Sequence, residues 1–172
     1  MSRSITIAVL GLALALLACV DEMNHLLTSR MPYTYVVPEN FRGWVRVVHY
    51  VQGAPALAVV HGRYYVEVPA SGIVVTSTGI EEGYAIDKFF ARSGRAAISL
   101  PLGAENKGTG LIWANGIHTD EDIENGLTRI EGRFFVGSFA EFERTPPPEA
   151  RYERRSDGTR RLMPPYSQRR TR

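Results

Sequence analysis

Cys19 is the one cysteine in a chain of 172 residues. A disulfide framework is therefore excluded, and so is any metal site built from several thiolates. Histidine is scarce as well. His25, His49, His61 and His118 stand at no metal-ligand spacing, so a zinc site would have to be assembled from distant segments. There is no Gly-x-Ser-x-Gly elbow and no Ser-x-x-Lys pair to mark an activated serine. Residues 103–110 (Gly-Ala-Glu-Asn-Lys-Gly-Thr-Gly) are glycine-rich, but the lysine precedes the second glycine, the wrong order for a phosphate loop. No internal repeat is present, and beyond the amino-terminal run there is no second long apolar span.

That first run is the most informative stretch. Arg3 is followed by residues 5–17, apolar apart from Thr6 and Gly11. The length suits the core of an export signal and is short for a membrane span. The run closes on Leu16-Leu17-Ala18-Cys19, which resembles the lipobox of bacterial lipoproteins. The resemblance implies removal of residues 1–18, a diacylglycerol on the Cys19 thiol, and further acylation of its new amine. A free thiol with nothing to bridge is a liability in an oxidising compartment, and lipidation removes it. Each buried methylene contributes about 0.8 kcal/mol, so two or three acyl chains hold a protein stably at a bilayer. In lipoproteins of Gram-negative cells an Asp straight after the cysteine favours the inner membrane. Val20 stands there and Asp21 one place later. The resemblance thus implies the outer membrane, facing the periplasm. An exported chain of this kind does not meet nucleic acid.

Charge is split along the chain. Residues 19–144 carry eleven Lys or Arg against fifteen Asp or Glu, whereas residues 145–172 carry eight Arg against three acids. The last segment opens on Pro146-Pro147-Pro148 and contains the pairs Arg154-Arg155, Arg160-Arg161 and Arg169-Arg170. Too little of it is apolar to offset ordering entropy, which predicts a disordered tail. Its guanidinium groups suit phosphate or carboxylate, so the expected partner is an anionic envelope polymer or lipid.

Between the ends the chain reads as tether (residues 19–32) and one β domain (residues 33–144). Residues 43–51 (Gly-Trp-Val-Arg-Val-Val-His-Tyr-Val) place Val45, Val47, His49 and Val51 on one face and Trp44, Arg46, Val48 and Tyr50 on the other. Both faces are substantially apolar, which predicts a central strand. Residues 33–37, 57–60, 64–68, 73–78, 84–91, 96–100, 110–115 and 132–138 suit further short strands between Gly and Pro turns. That rhythm predicts an all-β, antiparallel sandwich. Ser138 with Glu141 is spaced as a capping box for one short carboxy-terminal helix. Asp120, Asp122 and Glu124 read as a solvated acidic loop or helix start, with Thr119 and Asp122 as a capping pair. A calcium loop is the alternative, though the EF-hand spacing is missing. Tyr33, Tyr35, Trp44, Tyr50, Tyr64 and Tyr65 read as core and edge packing, with an exposed ligand-binding face as the alternative.

Residues 37–47 (Val-Pro-Glu-Asn-Phe-Arg-Gly-Trp-Val-Arg-Val) resemble the opening motif of a family of uncharacterised bacterial envelope proteins. Gly53-Ala54-Pro55, Val68-Pro69-x-Ser71-Gly72, Thr76-Ser77 and Phe135-Val136-Gly137 fit the same pattern. Asn40 replaces the usual glycine, and Asn tolerates the left-handed backbone such a turn requires. The Gly-Trp-Val-x-Val stretch is also similar to transthyretin-like and immunoglobulin-like sandwiches, an analogy of fold alone. The family has no assigned activity. The expectation is therefore a lipid-anchored binding or structural module, with Cys19 as lipidation site and no catalytic, cofactor or metal residue assigned. The alternative is an envelope hydrolase built from scattered acids and histidines.

Overall fold

In the computed structural model, residues 30–81, 83–104, 110–149, 152–154, 156, 158 and 160–166 are described. Cys19, the signal segment and nearly all of the tether lie outside them. Among the described residues no helix is long and apolar enough to cross a membrane. The chain divides into two units, residues 1–31 with 81–86 and residues 32–80 with 87–172. In the first, the Arg30 amide donates to the Tyr84 carbonyl at 3.2 Å, and the Met31 amide to the Glu81 carboxylate at 3.4 Å.

The second unit holds the strands. A five-stranded sheet has the order β3-β4-β1-β6-β7, from β1 (Tyr33–Val37), β3 (Ala58–Val60), β4 (Arg63–Glu67), β6 (Lys88–Ser93) and β7 (Ala96–Ser99). A four-stranded sheet has the order β5-β2-β9-β8, from β2 (Gly43–His49), β5 (Ile73–Val75), β8 (Ile112–Asp122) and β9 (Leu127–Val136). The all-β sandwich expected from sequence is what forms, but its ladders are mixed. β1 runs parallel to both β4 and β6, and β2 parallel to β5. The cause is connectivity. The chain leaves β1 directly for β2 in the other sheet, so the strands that flank β1 return only after long crossovers, which allow a parallel pairing.

Period-two alternation places Tyr33, Tyr35 and Val37 of β1, Val66 of β4 and Phe89 of β6 toward the second sheet. Val45 and Val47 of β2 and Phe134 and Val136 of β9 meet them. Tyr35 stacks on Phe89 at 5.1 Å, and Phe134 meets both rings edge-on at 4.9 and 5.0 Å. Each such pair contributes about 0.5–1.5 kcal/mol beyond the area it buries. β2 is central, as its two apolar faces predict. Asn40 takes φ 61°, the left-handed turn expected of it. Gly72 takes φ +73°, and a Cβ there would lie 2.6 Å from the Trp44 carbonyl oxygen, so only glycine lets β5 approach β2 this closely.

The outer face of the four-stranded sheet is covered at one end by α1 (Phe139–Arg144). The Ser138 hydroxyl accepts the Glu141 amide, and the Glu141 carboxylate accepts the Ser138 amide, the expected capping box. Phe139 and Phe142 pack on Trp113, and Phe142 also meets Trp44 and Phe135. The indole Trp44 Nε1 donates to the Thr145 carbonyl at 3.1 Å, and Trp113 Nε1 to the Gly137 carbonyl at 2.8 Å.

Next to these rings lies a buried ionic row. The fully buried Glu131 carboxylate accepts Arg46 Nη2 at 2.8 Å and is also held by Arg133 Nε. Arg133 Nη2 reaches Asp120 at 3.1 Å. Thr119 and Asp122 therefore do not open a helical turn. Residues 119–122 continue β8, with Asp120 opposite Arg129 of β9 and paired to Arg133.

The segment expected to be disordered is in part ordered. β10 (Tyr152–Arg154) pairs antiparallel with β11 (Arg160–Leu162). Leu162 is fully buried and its amide donates to Asp122 Oδ2 at 2.8 Å. Arg129 donates to the Pro165 carbonyl at 3.1 Å and to that of Met163. One buried leucine and two charge-assisted anchors supply what composition alone hides.

Two stability measurements follow. Glu131→Ala leaves Arg46 buried without its counter-charge and Arg133 with Asp120 alone, and lowers stability by about 3–5 kcal/mol in urea unfolding. A loss below about 1 kcal/mol would mean that water screens the row. Leu162→Ala costs about 2–5 kcal/mol. An unchanged unfolding midpoint would show the terminal segment undocked.

Candidate functional site

The face of the five-stranded sheet turned away from the core carries the alternate residues of the same strands. β1 gives Thr34 and Val36, β4 gives Tyr65 and Glu67, and β6 gives Lys88, Phe90 and Arg92. The register sets Thr34 between Tyr65 and Lys88, and Val36 between Glu67 and Phe90. Arg92 lies opposite Ala97 of β7. Small residues beside large ones leave a groove of about 390 Å³, lined by Thr34, Val36, Tyr65, Phe90, Arg92, Gly94, Arg95, Ala96 and Ala97. Val36 points outward yet is 7 % exposed, because its neighbours stand around it as walls.

Polar contacts fix the rim. Arg63 Nε donates to the Thr34 hydroxyl at 2.9 Å, and its Nη2 to the Tyr33 carbonyl at 2.8 Å. Arg92 pairs with Glu67 at 2.9 Å, both half-exposed, a contact worth little in water. The Ser93 hydroxyl donates to Glu39 at 3.0 Å and ties the β6 end to the turn before β2. Two half-exposed rings, an apolar floor and guanidinium groups at one end make a surface suited to holding an elongated ligand with a negative group.

The residues singled out from sequence are placed as follows. His49 is fully buried on β2, and its Nδ1 lies 3.1 Å from the Thr78 carbonyl oxygen, so Nδ1 carries the proton. Burial pushes its pKa below the usual 6.5, and the Thr78 bond opposes that only in part. His118 is exposed on β8, on the opposite face of that sheet, and His61 sits at φ 49° in the turn joining β3 and β4. These three do not converge, and His25 lies outside the described residues. Asp122 accepts the amide and side chain of Asn125 as well as the Leu162 amide, so its oxygens are engaged by the protein itself. Glu124 lies in the β8–β9 turn. Of the aromatics, Tyr33 and Tyr35 are core, Trp44 packs under α1, Tyr50 donates to the Ile80 carbonyl at 2.7 Å, and Tyr64 packs on Tyr33. Tyr65 alone among the six lines the groove. Sequence reading passed over Phe90, Arg92 and Arg95; the signal was the alternation of Phe89 inward with Phe90 outward inside a strand expected at residues 84–91 and found at Lys88–Ser93.

A model described as "Family of unknown function (DUF6843)" matches residues 29–96, which span β1 to β6 and the first residue of β7. A solved structure from Bacillus anthracis, named "Putative Lipoprotein", is 20% identical, with a TM-score of 0.49 over 62% of this chain and 69% of that one. No curated protein matches the chain.

His49 makes stability depend on pH. The folded state favours the neutral ring, so the contribution is full above the unfolded value of 6.5 and is lost as pH falls below it. Urea unfolding between about pH 7.5 and 5 should show stability falling by at most about 1.4 kcal/mol per pH unit from this group. His49→Gln should flatten that portion of the curve; an unaltered slope would assign it to other groups.

Proposed function

We propose that this chain is an exported lipoprotein, anchored through Cys19, whose sandwich works as a non-enzymatic binding module of the cell envelope. Leu16-Leu17-Ala18-Cys19 carries the reading, since it closes an apolar run of signal length on the only cysteine of the chain. With acyl chains at residue 19, about a dozen residues of tether, at most roughly 3.5 Å each, let the domain work some tens of ångströms from the bilayer. The groove on the five-stranded sheet is the binding face. It offers apolar contact and positive charge on a rigid sheet. The exposed Arg154 of β10 adds a second basic element suited to anionic envelope lipids or polymers. Val20 after the cysteine favours the outer membrane, with the domain in the periplasm.

Mass spectrometry of the protein purified from its native host tests the anchor. The account expects a mature amino terminus at Cys19 with diacylglycerol on sulfur, and expects Cys19→Ser to leave the precursor uncleaved and unlipidated. A different terminus, or an unmodified thiol at residue 19, would end it.

A further inference from the structure

The edges of the two sheets are built differently. In the four-stranded sheet, β8 is broken by a bulge between Trp113 and Gly116, with Ala114 at φ 51°, and then carries Asp120, Glu121 and Asp122; β5 is only three residues long. Bulges, charge and shortness are the devices that keep an edge from pairing with another chain. On β7 of the five-stranded sheet, four residues long, the charge and the bulge are missing. Ala96-Ala97-Ile98-Ser99 contains no charge, no proline and no bulge, and is exposed throughout, with Ile98 at 56 %.

The hydrogen-bonding groups of this edge can be assigned. β6 and β7 are joined by the two-residue turn Gly94-Arg95, with Ser93 opposite Ala96, and the Leu100 amide donates to the Phe89 carbonyl at 2.8 Å. Antiparallel ladders use alternate residues, so Ala96, Ile98 and Leu100 point their backbone groups at β6. Ala97 and Ser99 point theirs outward. No other described strand pairs with them. A row of unbonded N–H and C=O groups beside a groove is the arrangement that accepts an extended peptide as an added strand.

Charge selects among occupants. Arg95, in the turn leading into β7, and Lys88, on the outer face, are exposed and have no carboxylate partner among the described residues; Glu67, the one acid on this face, is already held by Arg92. Pairing β7 with the β7 of a second copy would add only further uncompensated Arg95 and Lys88 side chains and no free acid to offset them. An acidic segment instead brings the missing countercharge.

We propose that the free edge of β7 takes up an extended acidic peptide segment of a partner protein, which adds to the five-stranded sheet as a sixth strand with its acids toward Arg95 and Lys88. This rests on the reading of the groove as the binding face and names its partner. Backbone pairing through Ala97 and Ser99 supplies the attachment. Arg95 and Lys88 supply the preference, and salt weakens it.

The test uses the full chain in nonionic detergent and blocked ten-residue peptides of alternating valine and glutamate, or valine and lysine. The glutamate peptide should bind, slow amide hydrogen exchange at Ala97 and Ser99 about tenfold or more, and bind several-fold more weakly in high salt. The lysine peptide should do neither. Ala97→Pro removes an outward donor while leaving the bonds to β6, and should abolish the protection. Arg95→Ala with Lys88→Ala keeps the backbone intact and should weaken binding several-fold. Binding of both peptides alike, or of neither, overturns the proposal. So does self-association of the chain that Ala97→Pro abolishes, which would make a second copy the occupant. Binding that perturbs Tyr65 and Phe90 but leaves Ala97 and Ser99 exchanging freely overturns strand addition and leaves the groove reading standing. The state of Cys19 decides the anchor separately.

Discussion

The rings of Tyr35, Phe89 and Phe134 meet between the two sheets, and everything on the other side of the five-stranded sheet follows from that contact. A strand has two faces. Once Tyr35 and Phe89 are committed inward, Thr34, Val36 and Phe90 have only the outside to occupy. A slip of one residue in β1 or β6 would exchange the core for the groove. The aromatic contact therefore fixes register as well as contributing stability, and the groove exists because that register is held.

The second sheet solves a different problem. Its outer face is covered by α1 and by residues 162–166, but beneath that cover lie charges that cannot be left bare. Glu131 receives two guanidinium groups, Asp120 shares one of them, and Arg129 and Asp122 hold the backbone of the terminal segment. Such rows gain less from attraction than isolated ion pairs suggest, because burying each charge is itself costly. What they supply is orientation. The docked terminal segment satisfies Arg129 and Asp122 together. The protein's own chain thus covers this face at α1 and around Arg129 and Asp122, while the outer face of the five-stranded sheet keeps its groove open.

How much of this can be read from sequence depends on where the information sits. Runs of β-branched and aromatic residues between glycine and proline announce β1, β2, β4 and β5 directly. Ser138 with Glu141 announces α1, and Asn40 fits a left-handed turn, because each of these signals is local. The parallel pairings around β1 are not legible, since the order in which strands return to a sheet is set by the whole chain. The long β8–β9 hairpin was missed in part because its outward positions are charged. Arg129, Glu131 and Arg133 look like a solvated stretch until Arg46, 85 residues from Glu131 along the chain, is seen to lie beside it. The same applies to Leu162, whose arginine-rich surroundings conceal the one apolar side chain that docks. The groove was illegible for the opposite reason: its walls, Tyr65 and Phe90, look like core residues, and only the register shows them facing out.

The account turns on that alternation, and thiol labelling of the purified protein reads it most directly. Single cysteines are introduced at Tyr65, Phe90 and Ala97 and, separately, at Tyr35, Val66 and Phe89, and their rates of reaction with a water-soluble maleimide are compared with those of the denatured chain. The account predicts fast reaction at residues 65, 90 and 97 and strong protection at 35, 66 and 89. Protection at 65, 90 and 97 with rapid labelling at 35, 66 and 89 would contradict it, because the groove would then be the core.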